Sequence, residues 1–291
     1  MKLTCHSDVG EIRSVFLKKV ADAFVDESKI VAEWKALNFL EKPDLKLAVG
    51  EYHSFEELVA GKGLVHYFPR RNDVSMDSIY CRDASVATDG GMILCNMGKP
   101  GRRSEPEAAR HAFESAGINI LGAIEAPGTL EGGDVAWLDD HTLAVGHTYR
   151  TNPEGIRQLT GLLSGLSVEV ISVPLPHYKG PTDVFHLMSI LSPVDHDLAV
   201  VYSPLMPIAF RNELLRRNYN LIEVPDDEFE SMGCNVLALA PRQCLMVRGN
   251  PKTRTALETA GCAVFEYEGK EISVKGGGGP TCLTRPVVRA I

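Results

Sequence analysis

Five polar residues recur along this chain at nearly equal steps, and each stands at the head of an apolar, β-favouring run. Asp83, Asp134, His186, Asn235 and Cys282 are separated by 51, 52, 49 and 47 residues. Such a period marks an array of equivalent units, because one unit alone cannot bury its apolar face. Behind the first four positions the run turns back on itself. Residues 82–88 return through Asp89-Gly90-Gly91 to 92–95, and 133–138 return through Asp139-Asp140-His141 to 142–145. Residues 186–191 turn over 192–197 and return at 198–202, while 235–239 turn over 240–243 and return at 244–247. Turn-forming residues between β-favouring runs predict hairpins.

A helix and a further strand follow each hairpin. Ser104-Glu105-Pro106-Glu107 predicts a capping box, with Gly117 closing that helix. Asn152-Pro153 predicts a side-chain cap and a first-turn proline for the second helix. The third helix is expected at 206–217 and the fourth at 250–261, with strands centred on 118–120, 168–170, 221–224 and 263–265. The module is therefore ββαβ. Only one strand follows Cys282, so the strand at 12–18 is expected to complete the fifth module, with a helix at 20–40 and a strand at 64–68. Arranged in a ring over 1–291 as a single domain, the five polar residues point at one centre. The competing explanation of the spacing is two unrelated α/β domains.

Composition excludes several classes. Of 291 residues 44% are hydrophobic and 23% charged, the balance of a folded globular chain. A net charge of −8 argues against a nucleic-acid surface or a polybasic membrane patch. No apolar run follows Lys2, so no signal peptide is expected, and no stretch approaches the ~20 apolar residues of a membrane span. Seven cysteines without a C-x-x-C pair fit neither a disulfide framework nor a zinc ribbon. Reduced thiols in a cytoplasmic protein are the simplest expectation.

The chemistry resides in a few side chains. Cys282 follows Gly276-Gly277-Gly278-Gly279-Pro280-Thr281, and consecutive glycines let backbone approach a ligand closely. No Gly-Lys-Ser/Thr follows them, which excludes a phosphate-binding P-loop. Taken alone, any one cysteine is best regarded as a small buried hydrophobe, and His186 among apolar neighbours as a core histidine. Their equivalent repeat positions change that weighting. Glu131 and Asp134 bracket Gly132-Gly133 at a third equivalent point, and Asp77 and Asp83 add further carboxylates. A thiol, an imidazole and up to four carboxylates can then converge.

Arg82-Asp83, Glu131-Gly132-Gly133-Asp134, the stretch from Gly146 to Thr151, His186 and Gly-Gly-Gly-Pro-Thr-Cys282 together resemble the guanidine-modifying enzymes. These are the dimethylarginine dimethylaminohydrolases, arginine deiminases and amidinotransferases. The resemblance covers nearly the whole chain and is nearest the first of the three. It implies a five-bladed α/β propeller of ββαβ modules, the pentein fold. By the same resemblance Cys282 is the nucleophile, His186 the general acid and base, and Glu131 the carboxylate that orients the histidine. Asp83 and Asp134 would grip the guanidinium, Asp77 the substrate α-amine, and Arg150 with Arg102 or Arg103 the α-carboxylate, with Tyr80 at the substrate as well. Arginine forks suit carboxylates because they make two parallel charge-assisted bonds.

Two departures bear on specificity. Deiminases and amidinotransferases usually carry His-x-Asp, where this chain has Met188; a more apolar site tolerates N-methyl groups. Arg82 stands where the dimethylarginine hydrolases often have a second acid and is expected to form an internal ion pair. The implied activity is hydrolysis of a guanidino C–N bond of arginine or an Nω-methylated arginine, giving citrulline plus ammonia or a methylamine. It calls for no metal and no organic cofactor. An amidinotransferase is the alternative within the family, and a non-catalytic propeller binding protein the alternative outside it. The expected partner is the small guanidino substrate, with neither nucleic acid nor membrane, and a homodimer paired through rim helices is compatible with a chain of this size.

Overall fold

A computed structural model describes residues 2–291; Met1, which opens the N-terminal segment discussed above, lies outside them. Five small sheets stand where the repeat places them. The first blade is Ser85–Thr88, Gly91–Leu94 and Ile120–Ala123, and the second is Val135–Asp139, Thr142–His147 and Glu169–Pro174. Leu191–Asp195, Leu198–Val201 and Asn220–Glu223 form the third, and Leu237–Ala240, Gln243–Val247 and Ala263–Tyr267 the fourth. In each, the hairpin is antiparallel and the strand after the helix returns parallel to the hairpin's second strand. A parallel return needs a crossover, and the helix supplies it.

The fifth blade joins the two ends of the chain, as the single strand after Cys282 predicts. Thr284–Ala290 pairs antiparallel with Glu11–Leu17, Thr284 opposite Leu17, and Leu64–Tyr67 lies parallel on the other side of Glu11–Leu17. Leu3–Thr4 adds a short fourth strand on the free edge of Thr284–Ala290. The inner strands of adjacent blades touch, so the ring is closed and its strands have few exposed edges. Leu198–Val201 and Leu237–Ala240 are buried along their whole length, and apolar clusters fill the spaces between blades.

The crossover helices clamp the rim. Pro153–Leu163 turns Ile156, Leu159 and Leu163 inward at helical spacing, each worth about 1.5–3 kcal/mol of transfer free energy. Asn152 caps it as expected, its Oδ1 accepting from Gly155 N at 2.8 Å and also from Thr129 N at 3.0 Å.

Three local expectations are corrected. Ser104 does not cap: its backbone is already helical, its hydroxyl donates to the Asp73 carbonyl, and Glu107, the acid of the expected box, accepts from Arg110 Nε at 3.0 Å instead. Residues 20–40 are not one helix but two short ones, Val20–Ala23 and Glu27–Glu33. Between them Val25 takes a φ of +65°, and Asp26 starts a fresh turn by accepting from Lys29 N. The long helix of that segment is Leu45–Ala60, begun by Asp44, whose carboxylate accepts from Leu47 N at 2.9 Å. In the third hairpin, 192–195 belongs to the first strand rather than the turn, and Leu187–Ser189 forms a 3-10 turn that separates His186 from it.

The axis of the ring carries buried charge. Arg82 donates to Asp8 Oδ1 at 2.8 Å, the expected internal ion pair, and Asp8 Oδ2 accepts from Trp137 N at 2.8 Å. Burial opposes ionisation of Asp8, but Arg82 and Arg289 outweigh it and hold its carboxyl below the usual range. Arg285 donates to the Ser85 carbonyl and Arg289 to those of Gly10 and Ala238. These bonds tie the last strand to the first blade, to the segment that leads into Glu11–Leu17 and to the fourth blade. Among the described residues no helix is long and apolar enough to cross a membrane.

Candidate active site

At one end of the axis the chain breaks out of its strands into short turns, and these carry the reactive groups. Glu131, Gly132 and Gly133 lead through a 3-10 turn into the second blade, and His186 leads through another into the third. The two turns pack together because residue 133 is glycine: a Cβ there would overlap both the His186 ring and Asp83 Oδ1. His186 Nε2 meets Glu131 Oε2 at 2.9 Å, and His186 Nδ1 faces Asp83 Oδ1 at 3.9 Å. Backbone contacts fix the turn, with His186 N donating to Ser189 Oγ at 3.1 Å and Leu187 N to Asp134 Oδ1 at 3.0 Å.

Cys282 enters the same cleft from the fifth blade and is partly exposed there. Its Sγ accepts from Asn235 Nδ2 at 3.5 Å, and Asn235 Oδ1 in turn accepts from Thr281 N and Oγ1. The glycine run ahead of it is used for close packing: side chains at 276 and 278 would overlap the Tyr80 ring, and Gly277 has a φ of +75°. Of the other cysteines only Cys5 is partly exposed, while Cys81, Cys95, Cys234, Cys244 and Cys262 are buried.

The electrostatics act differently on the imidazole, the carboxylates and the thiol. Burial opposes the charged form of His186, but the carboxylates of Asp134, Asp83 and Glu131 outweigh it and raise the imidazole to about 9. Glu131 is driven the opposite way: burial pushes it up, yet His186 and Arg150 hold it well below the ordinary carboxylate range. Burial raises the Cys282 thiol and Asp83 adds to this, against the smaller pull of its bonds to Thr281 and Asn235. The resting site therefore pairs a neutral thiol with an imidazolium. Asp83 Oδ2 accepts from Arg102 at 2.5 Å, but its Oδ1 is buried without a hydrogen-bond partner. An unpaired buried carboxylate oxygen is costly, and a bound cation with N–H groups removes that cost.

A family model described as N,N dimethylarginine dimethylhydrolase, eukaryotic, matches residues 33–289. The chain belongs to this dimethylarginine dimethylhydrolase family. It is thereby a cysteine-dependent hydrolase of the guanidine-modifying superfamily, acting on C–N bonds of linear amidines. The uncharacterized protein YkgA of Bacillus subtilis is 26% identical over 99% of this chain and 96% of its own length. The N(G),N(G)-dimethylarginine dimethylaminohydrolase of Pseudomonas aeruginosa is 29% identical over 72% of this chain and 76% of that protein. A structure of the Pseudomonas aeruginosa enzyme complexed with citrulline superimposes with a TM-score of 0.76 at 22% identity. It covers 94% of this chain and 98% of that one, which establishes the pentein fold.

Within this family member the remaining expected residues fall into two groups. Asp77, Tyr80, Asp83, Arg102, Arg150 and His186 line the cleft with Cys282, and Met188 is beside them. Of the two candidate arginines it is Arg102 that reaches the cleft; Arg103 is exposed and outside it. Arg102 is already engaged, donating twice to Glu105 at 2.9 and 2.7 Å as well as to Asp83. Asp134, expected at the substrate, lies behind the wall instead. Its oxygens accept from Leu187 N and Thr148 Oγ1, so it supports the histidine turn and its charge. Tyr80 presents its ring, since its hydroxyl donates to the Ile272 carbonyl at 3.0 Å.

Two residues of the cleft were not anticipated as site residues. Asn235 was legible as the fourth repeat position but not as the donor to sulfur. Lys99 carried no signal, because a lysine in a Gly-Lys-Pro loop is ordinarily solvated. Here its Nζ donates to Asp77 Oδ2 at 2.5 Å and to the Leu37 carbonyl at 2.7 Å, and its own N–H holds Glu131 Oε1 at 2.9 Å. Asp83, Glu131 and His186 also place three ligating atoms within 4.8 Å of one another. A cation there would need a neutral imidazole, which the surrounding carboxylates oppose.

Proposed function

We propose that this chain hydrolyses a terminal guanidino C–N bond of a small substrate through a covalent thiouronium on Cys282. Arginine and Nω-methylated arginine are the compounds the relatives' names bring to it, with citrulline and ammonia or a methylamine as products. The observation that carries this proposal is Asp83 Oδ1, a buried and unpaired carboxylate oxygen in the cleft shared by Cys282 and His186. All of 1–291 acts as one catalytic domain, since the turns before three different blades and the strand joining the two ends supply the groups.

A guanidinium resists water because of its resonance, so covalent catalysis divides the difficulty into two steps. The cation docks on Asp83 and replaces the missing partner. Its positive charge favours transfer of the Cys282 proton to solvent at the partly exposed thiol, which burial had disfavoured. The thiolate adds to the central carbon, and His186, protonated at neutral pH, gives its proton to the departing ammonia or methylamine. The thiouronium retains the rest of the substrate. His186, now neutral, takes a proton from water, whose oxygen attacks the same carbon and expels the thiolate; the thiolate takes up the hydroxyl proton left on the carbon, giving a neutral ureido product and the resting thiol. Glu131 keeps the ring oriented and its charged form favourable throughout. Met188 on the cleft wall suits a leaving group that carries methyls.

Incubation with arginine, monomethylarginine, dimethylarginine and simpler guanidines, read by the colour reaction of ureido groups, tests the proposal. Turnover of at least one compound, abolished in Cys282→Ala, is the expected result. Turnover undiminished in that variant overturns it, and turnover that appears only with an added amine acceptor makes the chain a transferase.

A further inference from the structure

The cleft already contains an amino group of the protein's own, that of Lys99. Lys99 Nζ sits between Asp77 Oδ2 and the Leu37 carbonyl, at 2.5 and 2.7 Å, with only 15% of its side chain and 4% of that of Asp77 exposed. Burial pulls the Lys99 amine below its ordinary range, and the neighbouring Asp77 carboxylate opposes that pull. Asp77 Oδ2 and the Leu37 carbonyl, two acceptors suited to a substrate ammonium, are thus taken by the protein's own lysine. A second ammonium beside Lys99 would meet like charge, at a cost that a buried cleft does not screen.

Beside this internal pair the cleft offers donors. Arg150 is buried and lines it, and only its Nη1 reaches a protein acceptor among the described residues, both Glu131 oxygens at a long 3.4 Å. Its Nε and Nη2 carry N–H groups in the fork arrangement that matches a carboxylate. The Lys99 ammonium has three protons and two acceptors in hand, so it has one to give. The cleft therefore carries both signs: a carboxylate oxygen without a hydrogen-bond donor at Asp83, and cationic donors with N–H groups to spare at Lys99 and Arg150.

We propose that Lys99 selects the substrate class: an ω-guanidino acid, with a guanidinium at one end, a carboxylate at the other and no α-ammonium. This rests on the guanidino-hydrolase function above and narrows its substrate from amino acids such as arginine to guanidino acids such as 4-guanidinobutanoate and 5-guanidinopentanoate. The lysine supplies from the protein the positive charge that an α-amino acid would bring with it.

Calorimetry with the Cys282→Ala protein separates binding from reaction, and the ureido assay on the wild-type protein reports turnover. The guanidino acids are expected to bind at least tenfold more tightly than arginine, with agmatine, which has no carboxylate, weakest of all. Lys99→Met, similar in length but uncharged, is expected to lose tenfold or more in guanidino-acid affinity and to gain for arginine as Asp77 is released. Arginine binding as tightly as the guanidino acids, or a ratio unmoved by Lys99→Met, overturns the assignment while leaving the hydrolase function intact. Selective binding of guanidino acids without any ureido product supports the assignment and overturns the hydrolase function. If no guanidine binds, both fall.

Discussion

At the scale of single residues, the site works by unequal satisfaction. Glu131 and Arg102 have their hydrogen bonds met by neighbours, Asp83 is left with one oxygen short, and Cys282 has its thiol stabilised in the neutral form. The substrate's charge completes both unmet needs at once, which makes nucleophile formation conditional on binding. His186 gives this a pH signature. Its folded value of about 9 lies above the ~6.5 of an unfolded histidine, so the charged ring stabilises the fold below ~6.5, and that contribution is lost as pH rises through about 9. The same proton is needed for the leaving group, so kcat is expected to hold at neutral pH and fall as pH rises through about 9. In Glu131→Gln one of the three carboxylates is removed, and the alkaline limb should move down by about one unit while kcat drops by ~10–100-fold. A pH–rate profile of the two proteins checks this; an unmoved limb would separate Glu131 from the charge of His186.

At the scale of elements, function depends on where strands stop. His186, Glu131 and Cys282 all sit in the turn that precedes an inner strand, where the backbone is free to aim a side chain along the axis. Gly133 sets the spacing of two such turns, and Gly133→Ala would push the imidazole away from Asp83. A displacement near 1 Å costs ~100-fold in rate, so kcat should fall by about that factor while the chain remains folded by circular dichroism. Unchanged kcat in a folded Gly133→Ala protein would contradict this packing. The repeat made these turns legible in the sequence, since four modules share one apolar rhythm and turn chemistry. What escaped was settled by contacts between distant segments. Ser104 has the residue type of a cap but is drawn to the Asp73 carbonyl. Leu45–Ala60 went unread because the crossover of the fifth blade is longer than that of the other four, with two short helices ahead of it, and because Gly50 interrupts its pattern.

At the scale of the whole molecule, ring closure turns a sequence period into a site. Asp83 and Cys282, 199 positions apart, share one cleft because Thr284–Ala290 pairs with Glu11–Leu17. That Cys282, His186 and Asp83 would meet was legible from that period and the family resemblance together. Their division of labour was not. Asp134 and Arg103 have suitable chemistry in the sequence, yet one lies behind the histidine turn and the other on the surface. The Lys99–Asp77 pair requires two loops 22 residues apart to meet in a cleft, and no local pattern records that. The central claim is that the ring delivers a guanidinium carbon to Cys282 and releases only a small amine before water enters. The most direct test quenches the wild-type protein in acid during turnover and weighs the Cys282 peptide. The account predicts an adduct equal to the substrate less its departing ammonia or methylamine, with the alkyl tail attached. An adduct reduced to the bare amidino group would mean that the tail departs first, as in a transferase, and ureido product formed with no adduct on Cys282 would contradict covalent catalysis outright.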